Sequence, residues 1–144
     1  MRVKANQFIL ALTLAGYGAV HADVTNKGSK MTNREKVLQL LESIRTGEPG
    51  PLSYIDPDKY IQHNLYEADG VAGFRASLRQ LPKGSAKVKV ARVFEDGDYV
   101  FTHTDYDFFG PKIGFDVFRF EKGLMVEHWD NFQETVSKTP AAIP

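Results

Sequence analysis

No cysteine occurs anywhere in the chain. That absence removes disulfides, thiolate nucleophiles and cysteine-ligated metals together. A surplus of charge is missing too, since 18 Lys and Arg stand against 18 Asp and Glu. Without a basic excess, nucleic acid and anionic membrane are poor partners. There is no phosphate-binding glycine loop, no dinucleotide fingerprint and no serine elbow. Internal repeats and low-complexity tracts are also lacking. The apolar run from Phe8 to Val20 is interrupted by glycines and falls short of the ~20 residues that span a bilayer comfortably.

What that run does fit is export. Arg2 and Lys4 precede it, and Val20-His21-Ala22 supplies a small-x-small cleavage pattern before Asp23. The pattern is that of a secretory signal peptide over residues 1–22, so a secreted or periplasmic protein is expected, with no membrane contact after cleavage. Removing 22 of the 144 residues leaves 122, and the loss of Arg2 and Lys4 leaves a net charge of −2. A chain of that size forms one domain. Residues 23–31 read as a polar, disordered leader, 32–136 as the domain and 137–144 as a flexible tail.

The domain begins with helices and ends with strands. Thr32-Asn33-Arg34-Glu35 fits a capping box, and Val37, Leu38, Leu41 and Ile44 follow at helical spacing up to Gly47. Glu48-Pro49-Gly50-Pro51 forbids regular structure. Tyr60 to Asn64 is a short extended or helix-end piece. Asp69 is placed to cap a second helix that carries Val71, Phe74, Leu78 and Leu81 on one stripe. From Lys87 the period changes to two. Asp96-Gly97 and Lys122-Gly123 read as two-residue hairpin turns, giving strands near 87–95, 98–107, 113–121 and 124–134. Helices first and an antiparallel meander last make an α+β domain.

Turn positions fix register, and register decides which side chains share a face. With Glu121 opposite Leu124, Asp116 faces Trp129, and Asn131 joins that side. His128 and Asp130 then fall on the other face, where a dimer contact or a structural hydrogen bond is the natural use. With Glu95 opposite Asp98, His103 lies beside Val90 on the face of Phe101. A metal site from His63, His103, His128 and a carboxylate is disfavoured by this register, and none is expected.

The segments Tyr60-Ile61-Gln62-His63-Asn64, Asp69-Gly70, Phe94-Glu95-Asp96-Gly97-Asp98, Val100-Phe101-Thr102-His103-Thr104, Phe115-Asp116-Val117-Phe118-Arg119 and Glu127-His128-Trp129-Asp130 resemble the SnoaL-like proteins of the nuclear-transport-factor-2-like superfamily. The resemblance covers roughly residues 33–134. It implies a conical fold, with a strongly curved antiparallel sheet wrapped around the N-terminal helices and a pocket between them. It also implies a homodimer through the convex sheet face, and an intramolecular aldol chemistry that needs neither metal nor organic cofactor. Asp116 matches the acid/base carboxylate and His103 the histidine of the preceding strand.

The residues themselves support acid/base work. A carboxylate in an apolar strand costs folding energy unless it is paired or hydrated. Burial beside Phe118, Phe120 and Trp129 disfavours its charged form, which moves a weak base toward working pH. Asp116 and His103 are therefore the expected catalytic residues. His63, Asn64, Phe74, Phe101, Phe118, Trp129 and Asn131 are the expected pocket residues for a small, apolar carbonyl compound. An exported binding protein using the same pocket, and a dimeric interaction module, are the alternatives.

Overall fold

A computed structural model describes residues 30–81 and 86–135. The expected signal peptide, most of the leader, and the tail lie outside the described residues. The first helix, α1 (Asn33–Thr46), begins as its sequence dictates: the Thr32 hydroxyl accepts from the Glu35 N–H while the Glu35 carboxylate accepts from the Thr32 N–H. Gly47 closes it at φ 76°, donating to the Ser43 carbonyl, a left-handed conformation that suits glycine. Val37, Leu40 and Leu41 are buried, so the inward stripe runs through Leu40 rather than Leu38. A 3-10 turn (Gly50–Tyr54) leads to a two-residue strand, β1 (Ile61–Gln62), and then to α2 (Gly70–Gln80). Asp69 holds the N-cap position of α2 but does not cap it; its carboxylate accepts from the Gln62 N–H at 2.7 Å, tying the helix start to β1.

Four long strands follow: β2 (Lys87–Asp96), β3 (Tyr99–Asp107), β4 (Pro111–Glu121) and β5 (Leu124–Glu134). Their order in the sheet is β1-β5-β4-β3-β2. The four long strands are antiparallel to their neighbours, and β1 adds to β5 in parallel, making the sheet mixed. The core lies between α1, the 3-10 turn, Phe74 of α2 and the inner sheet face, with Val100, Phe118, Phe120 and Met125 fully buried. No helix among the described residues is long and apolar enough to cross a membrane.

Register departs from expectation at three places. The first hairpin turns on Gly97-Asp98, pairing Asp96 with Tyr99. Gly97 supplies the positive φ of that turn (56°). In β2 the pairing slips between Val90 and Arg92, leaving Ala91 as a bulge. In β5, Phe120 pairs with Met125 but Arg119 pairs with Glu127, so Val126 is an extra residue. Met125 and Val126 are both buried. A bulge moves every residue beyond it to the opposite face, so from Glu127 onward the sides are the reverse of those expected.

On the outer sheet face Glu121 accepts from Lys59 (2.8 Å) and Arg119 (2.9 Å). These hydrogen bonds, Lys59 first, pull its carboxyl from 4.5 down to about 2. A depressed carboxylate stabilises the fold above its unfolded value and loses that effect as pH falls through its folded one. The melting-temperature advantage of wild type over Glu121→Gln is therefore expected to be full above ~5, to vanish near pH 2, and to shrink in high salt. Thermal unfolding across that range checks it; an advantage independent of pH would contradict the assignment.

Candidate functional site

The alternation of β3 and β4 turns Thr102, Thr104, Tyr106, Gly114, Asp116 and Phe118 inward. Asp116 is 3% exposed. Its Oδ2 accepts from the Thr102 hydroxyl at 2.8 Å and the Tyr106 hydroxyl at 2.9 Å. Burial, then the Asp116 charge, pushes the Tyr106 phenol well above its ordinary range, so it remains a donor. Gly114 makes that contact possible: a Cβ there would lie 2.4 Å from Tyr106 Cε2 and 2.9 Å from Phe132 Cε1.

Beyond the Val126 bulge, β5 sends His128 and Asp130 to the same side. Asp116 pairs with Asp130, and Phe118 with His128. The His128 ring stacks on Phe118 at 4.5 Å. Its Nε2 is buried without a hydrogen-bond partner among the described residues and lies 3.6 Å from Asp116 Oδ1. Its Nδ1 lies 3.1 Å from Gln62 Oε1. Gln62 is oriented by two further bonds, since Oε1 accepts from the Asn64 N–H at 3.1 Å and Nε2 donates to Glu67 at 2.7 Å. An amide oxygen so fixed can only accept. His128 therefore carries its proton on Nδ1, and in the neutral ring Nε2 presents a lone pair.

Asp130 accepts from Asn64 Nδ2 at 2.7 Å, and burial pushes its carboxyl up. Burial also raises Glu67. These groups meet at a cavity of about 540 Å³. Its apolar walls come from Leu40 and Leu41 of α1, Phe74 and Leu78 of α2, and Phe108 and Phe132 beside Tyr106. A cavity of that size, apolar with a few convergent polar groups, suits a small organic molecule.

Of the residues expected from sequence, Asp116, Asn64, Phe74 and Phe118 line this cavity. Five do not. His103 is on the outer face, stacked on Phe115 at 5.0 Å with Nδ1 3.1 Å from Arg92; its neighbours Thr102 and Thr104 are the ones that point inward. Phe101 shares that outer face and is 42% exposed. Trp129 stacks flat on His63 at 4.6 Å, and His63 bonds Glu127 at 2.8 Å. Asn131 is exposed and pairs with Phe115. Strand alternation explains His103 and Phe101; the Val126 bulge explains Trp129 and Asn131, and His63 follows Trp129 outward. The same bulge corrects the placement of His128 and Asp130, which lie in the cavity and not at an outer contact.

Sequence reasoning missed His128, Asp130, Gln62, Glu67, Thr102 and Tyr106. One signal was available. Leu124-Met125-Val126 puts three apolar residues in a row, which a strand of strict alternation does not need.

No protein-family model matches the chain, and no curated protein matches it. Solved structures do. An NTF2-like protein of unknown function from Cytophaga hutchinsonii aligns with a TM-score of 0.62 at 16% identity, over 74% of this chain and 94% of that one. An epoxide hydrolase of M. tuberculosis, described as LEH-like, gives 0.59 at 18% identity, over 70% and 82%. A SnoaL-like polyketide cyclase from Agrobacterium tumefaciens gives 0.59 at 13% identity, over 72% and 93%. The chain thus has the nuclear-transport-factor-2-like α+β fold. At these identities the likeness is one of fold.

Gly114→Ala tests how the site is held. The added methyl must displace Tyr106 or Phe132, and overpacking of this kind costs about 1–3 kcal/mol. A lower urea midpoint with an unchanged slope is expected; unchanged stability would show that Tyr106 is not held as described.

Proposed function

We propose that the chain is an acid/base enzyme that moves a proton beside the carbonyl group of a small, largely apolar compound. The observation that carries this is the buried pair of His128 Nε2 and Asp116 Oδ1, 3.6 Å apart at the cavity floor. His128 takes the role of base that the sequence reading gave to Asp116, and Asp116 becomes its supporting partner.

In the step we envisage, the C–H proton passes to Nε2, and the bond's electron pair moves into the carbonyl to form an enolate. The imidazolium is then stabilised by the Asp116 carboxylate, which its two hydroxyl donors keep oriented. The enolate oxygen needs a donor. Asp130, whose carboxyl burial raises, is placed to give one in its neutral form. Return of the proton to another carbon gives an isomerase; attack of the enolate on a second carbonyl, whose oxygen then takes the proton back from Nε2, gives an aldol cyclase. The fold neighbours include proteins named for cyclase and hydrolase chemistry, which supports an enzyme without selecting the reaction.

Export through the Met1–Ala22 signal pattern belongs to the same proposal, as does a homodimer. The outer face exposes Tyr99, Phe101 and Phe115, each 41–56% accessible, which supports a second copy or another partner there.

The test is solvent deuterium uptake at the α-carbon of a panel of small ketones, followed by proton NMR. Wild type should accelerate exchange for at least one member, and Asp116→Asn or His128→Ala should each lower it ~10²–10⁴-fold. Ligands that bind in the cavity without accelerated exchange in wild type would favour the binding-protein reading.

A further inference from the structure

Three acceptor groups converge on the cavity floor. One ligand atom each from Asp116, His128 and Asp130 lies within 4.8 Å of the others. His128 is 6% exposed, and its Nε2 is a buried side-chain atom with no hydrogen-bond partner among the described residues. A shared proton can join only two of three acceptors. A cation can join all three.

The other side of each group is already occupied. Gln62 Oε1 accepts from His128 Nδ1–H and frees Nε2. Thr102 and Tyr106 hold Asp116 Oδ2 and leave Oδ1 turned to His128. Asn64 takes one lone pair of Asp130. Outer hydrogen bonds that fix the tautomer and the orientation of each ligand are what metal-binding side chains have. Ligand atoms about 2.0–2.2 Å from one ion sit roughly 3–3.6 Å apart, so the observed 3.6 Å between Nε2 and Oδ1 already fits. The third ligand atom, on Asp130, lies within 4.8 Å of the other two.

We propose that this cluster is a binding site for one divalent transition-metal ion, with Asp116, His128 and Asp130 as ligands and open positions facing the cavity. One imidazole nitrogen and two carboxylate oxygens suit Zn²⁺, Mn²⁺, Fe²⁺ or Co²⁺ better than the all-oxygen preference of Ca²⁺ or Mg²⁺. The ion's charge would offset the buried Asp116 carboxylate and the half-buried Asp130 carboxylate. The site shares its residues with the acid/base reading but not its reaction. A bound ion occupies the lone pairs that a proton would take, so it inhibits where that reading holds.

The full-length protein, stripped with a chelator, is titrated with Zn²⁺ against a chromophoric competitor. One ion per chain is expected. His128→Ala should abolish binding, Asp130→Asn should weaken it at least tenfold, and Gln62→Leu should cost ~10–100-fold through the lost outer bond. His63→Ala and His103→Ala, both on the outer face, should change nothing. If His128→Ala does not fold by circular dichroism, Asp130→Asn carries the test, with Co²⁺ loading read from its visible absorption. Absence of stoichiometric binding, or binding that survives Asp130→Asn and follows the outer histidines, overturns the proposal. α-Proton exchange by the metal-free protein is scored separately, so either proposal can fail alone.

Discussion

One extra residue in β5 governs the chemistry of this molecule. Val126 lets Met125 and Val126 both enter the core, and everything C-terminal to it changes sides. Without the bulge, His128 and Asp130 would lie on the outer sheet face and Trp129 would face Asp116. With it, an imidazole and a second carboxylate meet Asp116 in the apolar-walled cavity. Bulges commonly sit beside active sites because they re-aim side chains at low cost to the rest of the strand.

The remaining structure holds that arrangement in place. β1 is only two residues long, yet it lays Gln62 against His128, and Asp69 ties it to the start of α2. Gly73 in α2 leaves no room for a side chain, since a Cβ would sit 1.9 Å from the Ala68 carbonyl oxygen. That close approach packs α2 against the loop that carries Asn64 and Glu67. From the sheet side, Gly114 admits the Tyr106 ring. Buried polar groups are costly when half-satisfied, and here nearly every one is paired. Among the described residues His128 Nε2 is the exception, which makes it the natural place to look for function.

Much of the frame was legible in the residues. The capping box, the Lys122-Gly123 turn with both residues at positive φ, the two hairpins and the inward Asp116 all follow from local chemistry. So does the α+β class. The candidate site was half legible. Asp116, Asn64, Phe74 and Phe118 lie where hydrophobic period and resemblance put them. His103 was misplaced because the Ala91 bulge sets Val88 and Val90 opposite Tyr106 and Thr104 rather than on the face of His103, and its strand neighbours take the inner positions. Trp129 and Asn131 were misplaced because a bulge leaves only a faint local mark. The parallel pairing of β1 with β5 is a long-range contact between Gln62 and His128, and short-range pattern carries no record of it.

The central claim is that His128 presents an unpaired Nε2 lone pair to Asp116 because Gln62 fixes the proton on Nδ1. Long-range ¹H–¹⁵N NMR of ¹⁵N-histidine-labelled protein reads this directly for the neutral ring. The account predicts a pyrrole-type Nδ1 and a pyridine-type Nε2 at His128, with the pattern lost in Gln62→Leu. A proton resident on Nε2, with Nδ1 as the acceptor, would contradict it.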